Sequence, residues 1–127
     1  MIIDVAVNEK YDALLDDFVY YICKHFGIIP RKVSIETADL VGNRGMCFDD
    51  DDGEFTILVK PNDDMGQTFA TVAHEMIHVK QYMTQNLGQI LDESTALPYD
   101  SRWWEDEAFN GAVPLVESFA TKIKLSS

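Results

Sequence analysis

Positive charge is scarce in this sequence: ten Lys and Arg stand against 22 Asp and Glu, a formal net charge of −12. A mean field of that sign repels phosphate backbones, so autonomous nucleic-acid binding is disfavoured. It suits solubility and attraction to a basic protein partner, and imitation of DNA's charge is the sharper form of the same reading. Cysteine is scarcer still. Cys23 and Cys47 are widely spaced with no C-x-x-C, which argues against a disulfide framework or a zinc ribbon and makes a reducing cytoplasm the expected compartment. No apolar run approaches the roughly 20 residues of a membrane helix. The opening Met1-Ile2-Ile3-Asp4 has neither the basic start nor the long apolar core of a signal peptide. With 4 Pro and 7 Gly there is no linker-like tract and no repeat, and the 127 residues are expected to form one domain over 1–127. A chain of this length buries about two-thirds of its unfolded surface, enough to fold without a covalent staple.

What is present is a clear alternation of periods. Over residues 9–26, Leu14, Leu15, Phe18, Val19, Ile22 and Phe26 recur at helical spacing, and Gly27 is a natural stop. Lys32–Glu36 alternates as a half-buried strand, a short strand is expected near Met46–Phe48, and Glu54–Lys60 reads as a strong strand. Between the last two lies Asp49-Asp50-Asp51-Asp52-Gly53. As an EF-hand with Gly53 sixth, this run would put Phe48 first and Val59 twelfth, where oxygen ligands are required, so it reads as a solvated hairpin tip. A long amphipathic helix is expected from Gly66 to Leu87, closed by Asn86-Leu87-Gly88, followed by a loop over 89–101. A further helix should run from about Ser101 to Asn110, with Pro114 opening a last one that reaches about Lys124. Helix, small sheet, then helices is an α+β order.

The long helix carries His74-Glu75-Met76-Ile77-His78, an H-E-x-x-H. Residues i and i+4 share a helix face, so both imidazoles can reach one ion, and neutral imidazole suits Zn²⁺. Glu75 projects beside His74, close enough to polarise a water on the metal without being a ligand. Val72, Ala73, Met76 and Ile77 surround the pair, and imidazoles on so apolar a helix need partners.

An open zinc site takes a third protein ligand. The remaining histidine, His25, ends the first helix and reads as a charge at its C-terminus. Better candidates lie in Trp103-Trp104-Glu105-Asp106-Glu107-Ala108-Phe109. At about 100° per residue, Trp103, Trp104, Ala108 and Ala112 define an apolar arc, with Glu107 inside it and Glu105 at its far margin. The two carboxylates point about 200° apart and cannot both bind one ion from a regular helix, and Glu107 is preferred.

At these residues the sequence resembles the zincin metallopeptidases of gluzincin type, which pair an H-E-x-x-H helix with a downstream glutamate on a second helix. His74–Tyr82 followed by Trp104–Ala108 is similar to small, uncharacterised H-E-x-x-H proteins of phage and bacteria that carry H-E-x-x-H-x-x-Q and then Glu-x-Glu-Ala. More distantly, the ImmA/IrrE metallopeptidases share a Glu-Ala arrangement on a later helix, in which the glutamate before Ala is the third ligand. That maps to Glu107. Phe109 stands where Asn is common in that family, and the helix-turn-helix, basic tail and zinc ribbon of SprT and Spartan relatives are missing. The resemblance, spanning residues 54–120, implies a minimal zincin-like fold, a small sheet packed on the H-E-x-x-H helix. It also implies a zinc-dependent peptidase acting on a peptide or protein substrate, in which Glu75 is general base and acid. The alternative is a zinc-binding interaction protein with little or no hydrolysis.

If peptide bonds are cut, a donor to the tetrahedral oxyanion would help, and Tyr82, Tyr99 and Arg102 are candidates. Gln81, Asp100 and Asp106 could hydrogen-bond a ligand from behind. Trp103 and Trp104 read as core rather than as a substrate platform. In zincins the sheet before the metal helix offers an edge to extended substrate, a role the resemblance would give to Glu54–Lys60; the alternative is a central strand under the helix.

Overall fold

The computed structural model describes residues 1–93 and 102–126. Four strands, β1 (Ile2–Ala6), β2 (Lys32–Thr37), β3 (Gly45–Asp49) and β4 (Glu54–Val59), lie in the order β1-β2-β4-β3. β1, β2 and β4 run parallel, and β3 is antiparallel to β4 at the edge. Parallel neighbours cannot be joined by a tight turn. Helix α1 (Asp12–Phe26) therefore makes the crossover from β1 to β2. Among the described residues, three helices follow the sheet: α2 (Met65–Thr84), α3 (Leu87–Glu93) and α4 (Trp103–Ser126). The protein is thus a small mixed α+β structure.

Alternation sorts the sheet into two faces. Val33, Ile35, Phe55, Ile57 and Val59 are buried, whereas Lys32, Ser34, Thr56 and Leu58 between them are only partly so. The buried set joins Leu15, Phe18, Val19 and Ile22 of α1, Phe69, Val72, Ala73 and Met76 of α2, and Ala108, Ala112, Leu115 and Phe119 of α4 in one apolar cluster. Phe18 lies at its centre, 5.2 Å from the Phe69 ring and 5.0 Å from Phe119. Helices thus cover one face of the sheet only.

Local chemistry sets the element ends. Gly27 takes a left-handed φ of 67° to close α1. The Asp64 carboxylate caps α2 by accepting from the Gln67 N–H at 2.7 Å. Asp51 and Asp52 turn the β3–β4 hairpin in left-handed conformations, exposed as a solvated tip should be.

Three expectations need correction. A strand precedes α1: β1 is a half-exposed edge strand whose weak alternation gave little signal. Asn86 adopts φ 55°, so α2 stops at Thr84, and α3 begins at the buried Leu87, where the long helix was expected to end, and runs to Glu93 in the segment expected to be loop. Finally, α4 does not break at Gly111 or Pro114. Pro114 and Asn110, one turn back, are both exposed, so the hydrogen bond that proline cannot donate is missing on the solvent side of the helix. Gly111 is there for contact. A Cβ at that position would fall 2.8 Å from Cδ1 of Ile77, so α4 crosses α2 almost backbone to side chain, one residue before His78. The remainder of the loop expected over 89–101, residues 94–101 with Pro98, lies outside the described residues. No helix among those described is long and apolar enough to cross a membrane.

Candidate metal centre

Helix α2 brings His74 and His78 to one face, and the start of α4 brings Glu105 over them. The ring centroids are 5.0 Å apart. Oε1 of Glu105 lies 2.7 Å from Nε2 of His78, and Oε2 lies 3.9 Å from Nε2 of His74. One ligand atom from each of the three falls within 4.8 Å of the others. Ligands around a tetrahedral ion stand roughly 3.3 Å apart, so small side-chain rotations would close the set on a cation. Two imidazole nitrogens and one carboxylate oxygen, all partly or wholly withdrawn from solvent, form a donor set that fits a borderline divalent ion. The residues present therefore fit a metal.

The carboxylate that meets the two histidines is Glu105, which corrects the placement expected of Glu107. Glu107 turns away: its Oε1 accepts from Nζ of Lys80 at 3.1 Å and from Nε2 of Gln81 at 2.9 Å. The error has a physical origin. With α4 unbroken, Leu115 and Phe119 belong to its apolar face, whereas Trp103 is 40% exposed and does not. Rebuilt from Trp104, Ala108, Ala112, Leu115 and Phe119, the centre of the arc rotates towards Glu105, which then lies about 60° from it and Glu107 about 100°.

Glu75 lies beside the donors and is 6% exposed. Burial raises its carboxyl above the ordinary range, with the His78 and His74 charges pulling the other way. Strand β3 passes so close that a Cβ on Gly45 would lie 2.5 Å from Cγ2 of Thr71 and 3.0 Å from Oε2 of Glu75. Only glycine fits there, a requirement whose sole trace in the sequence is a glycine at the start of a strand. The donor group and Glu75 line a cavity of about 680 Å³ walled by Thr71 and Tyr82 of α2, Met46 and Cys47 of β3, and Phe109 and Val113 of α4. The chain matches no family model, no curated protein and no solved structure.

Other residues singled out in the sequence separate cleanly. Tyr82 lines the cavity, and its phenol is pushed up to about 12 by burial, with Cys47, Asp49 and Glu75 adding to it, so it stays protonated. Arg102 is not in the cavity wall; its carbonyl accepts from Glu105 and Asp106 at the start of α4. Asp106 and His25 are exposed, and neither belongs to the donor group. Trp104 is buried core, and Trp103 packs edge-on against it at 5.8 Å. Tyr99 and Asp100 lie outside the described residues. Strand β4 is central, between β2 and β3, so the edge nearest the site is β3 and not Glu54–Lys60.

Without metal, Glu105 and His78 form an ion pair with a defined pH window. The imidazoles of His74, 3.9 Å away, and His78, at 2.7 Å, hold the Glu105 carboxyl well below the usual carboxylate range, against the opposing effect of burial. Burial alone would lower His78, but its hydrogen bonds to Glu105 and Gln81 and the Glu75 charge carry it above the ordinary imidazole value. The depressed carboxyl contributes stability above an unfolded value of about 4.3, lost as pH falls through the folded one. The raised imidazole contributes below about 6.5, and that share is lost as pH rises through its folded value. Melting curves in chelator at about pH 3, 5.5 and 8.5 should therefore show the gap between wild type and Glu105→Gln widest at pH 5.5. An equal gap throughout would remove the pair from the stability of the fold.

Proposed function

We propose that the protein is a zinc-dependent metallopeptidase of minimal zincin-like architecture, with His74, His78 and Glu105 as zinc ligands and Glu75 as general base and acid. The observation that carries this reading is the convergence of three donor atoms within 4.8 Å, beside a buried carboxylate, at the wall of a cavity. The H-E-x-x-H spacing and the resemblance to gluzincin-type enzymes support the same assignment.

Zinc, when bound, supplies Lewis acidity, making water acidic and polarising a carbonyl. The chain's own groups do the rest. Glu75 takes the proton of the attacking water and returns it to the departing amine nitrogen. Its position is fixed by its place on α2, by its burial and by the backbone of β3 at Gly45, so the proton acceptor is pre-aimed into the cavity. The protonated Tyr82 phenol on the cavity wall is the candidate donor to the oxyanion.

Zinc-loaded protein incubated with a proteome-derived peptide library should generate new termini, read by mass spectrometry, that vanish when a chelator is added. Stoichiometric zinc without cleavage would instead mark a zinc-stabilised acidic interaction module, for which the net charge of −12 is the motive.

A further inference from the structure

Behind His78 lies a chain of hydrogen bonds that the proposed chemistry does not yet use. Gln81 is fully buried, one turn after His78. Its Nε2 donates to the Trp104 carbonyl at 2.9 Å and to Oε1 of Glu107 at 2.9 Å, and its Oε1 faces Nδ1 of His78 at 2.7 Å. Lys80 holds the same Glu107 oxygen at 3.1 Å.

The orientation of this amide follows from its partners. A carbonyl oxygen and an ionised carboxylate can only accept, so the end of Gln81 that meets both must be the NH₂, and both of its protons are used. The other end is then an acceptor, and the atom it meets, Nδ1 of His78, must carry a proton. A neutral imidazole has one N–H and one lone pair. With the proton fixed on Nδ1, the lone pair stands on Nε2, the atom that faces Glu105 and the donor group.

We infer that Gln81, anchored by Glu107 and the Trp104 carbonyl, is the positioning residue that presents Nε2 of His78 to the metal. The inference rests on the metal-site reading and deepens it. It also gives Glu107 a part: its carboxylate holds the amide that holds the imidazole, and Lys80 balances its charge. Groups of this kind, which orient a ligating histidine from behind, typically change metal affinity by about 10–100-fold when removed.

The test measures zinc dissociation constants by competition with a chromophoric chelator, alongside ¹⁵N imidazole spectra of the zinc-loaded protein. Gln81→Leu keeps the volume and removes the acceptor. It should weaken zinc binding about 10–100-fold and abolish the slowly exchanging Nδ1–H resonance of His78. The exchanged pair Gln81→Glu with Glu107→Gln restores an acceptor behind His78 and a donor between the two positions, giving up the bond to Trp104 and the Lys80–Glu107 ion pair. It should recover most of the lost affinity and the resonance. Folded Gln81→Leu that binds zinc as tightly as wild type overturns the inference, and so does an exchanged pair as weak as Gln81→Leu, which would mean a packing role. Should Gln81→Leu fail to fold, Glu107→Leu carries the test, with a smaller loss of affinity expected and no change sinking the idea. Wild type that takes up no zinc fails differently, because it removes the metal site itself rather than the role of Gln81.

Discussion

Replacing Glu105 with Ala should abolish high-affinity zinc binding, whereas Glu107→Ala should leave a weakened but intact site. Glu105 supplies the only carboxylate oxygen in the donor group, and its removal leaves two imidazoles on one helix. The loss of affinity should exceed the roughly 100-fold upper range seen for groups that merely orient a ligand. Calorimetric or chelator-competition titrations of the two variants read the difference directly. Thermal unfolding gives a second readout. A ligand at about 100 times its dissociation constant stabilises the folded state by about 2.7 kcal/mol. For a chain of this size that corresponds to a rise of about 10 °C in Tm. Wild type and Glu107→Ala should show a rise of this order on adding zinc, and Glu105→Ala should show almost none. The opposite ranking would mean that α4 presents its other face to α2.

The second large effect concerns Glu75. Glu75→Gln is nearly isosteric, keeps the contact with Gly45 and removes the capacity to accept a proton. Positioned acid–base groups contribute about 10²- to 10⁴-fold to rate, so peptide cleavage should fall by at least about 100-fold. Zinc affinity should stay close to wild type, because Glu75 is not among the three donors. That separation distinguishes a catalytic carboxylate from a structural one: loss of zinc together with activity would place Glu75 in the metal's support, and undiminished cleavage would remove it from the chemistry.

Much of this architecture was legible in the residues because the periods are strong. Leu15, Phe18, Val19 and Ile22 announce α1, and Phe55, Ile57 and Val59 announce β4, since each set fills one face of its element. His74 and His78 were legible for the same reason, their spacing being a property of one helix. What was not legible depends on contacts between elements. Whether Glu105 or Glu107 meets the histidines turns on which face of α4 is buried. That in turn depends on the helix continuing through Pro114 to bring in Leu115 and Phe119. The demand for glycine at position 45 exists only because β3 passes over Thr71 and Glu75, and nothing local encodes that approach. The edge position of β3 is likewise a fact of strand order, because β4 inserts between β2 and β3.

The absence of a side chain at Gly111 has a consequence for how an ion would be taken up. Where two helices meet side chain against side chain, both surfaces can change rotamer and their separation can breathe. Here Ile77 rests against bare backbone, and the crossing is set by van der Waals contact one residue before His78. The gap between imidazole and carboxylate is therefore built into the scaffold before any cation arrives. Capture then requires only the swivel of three side chains, with both helices already in place.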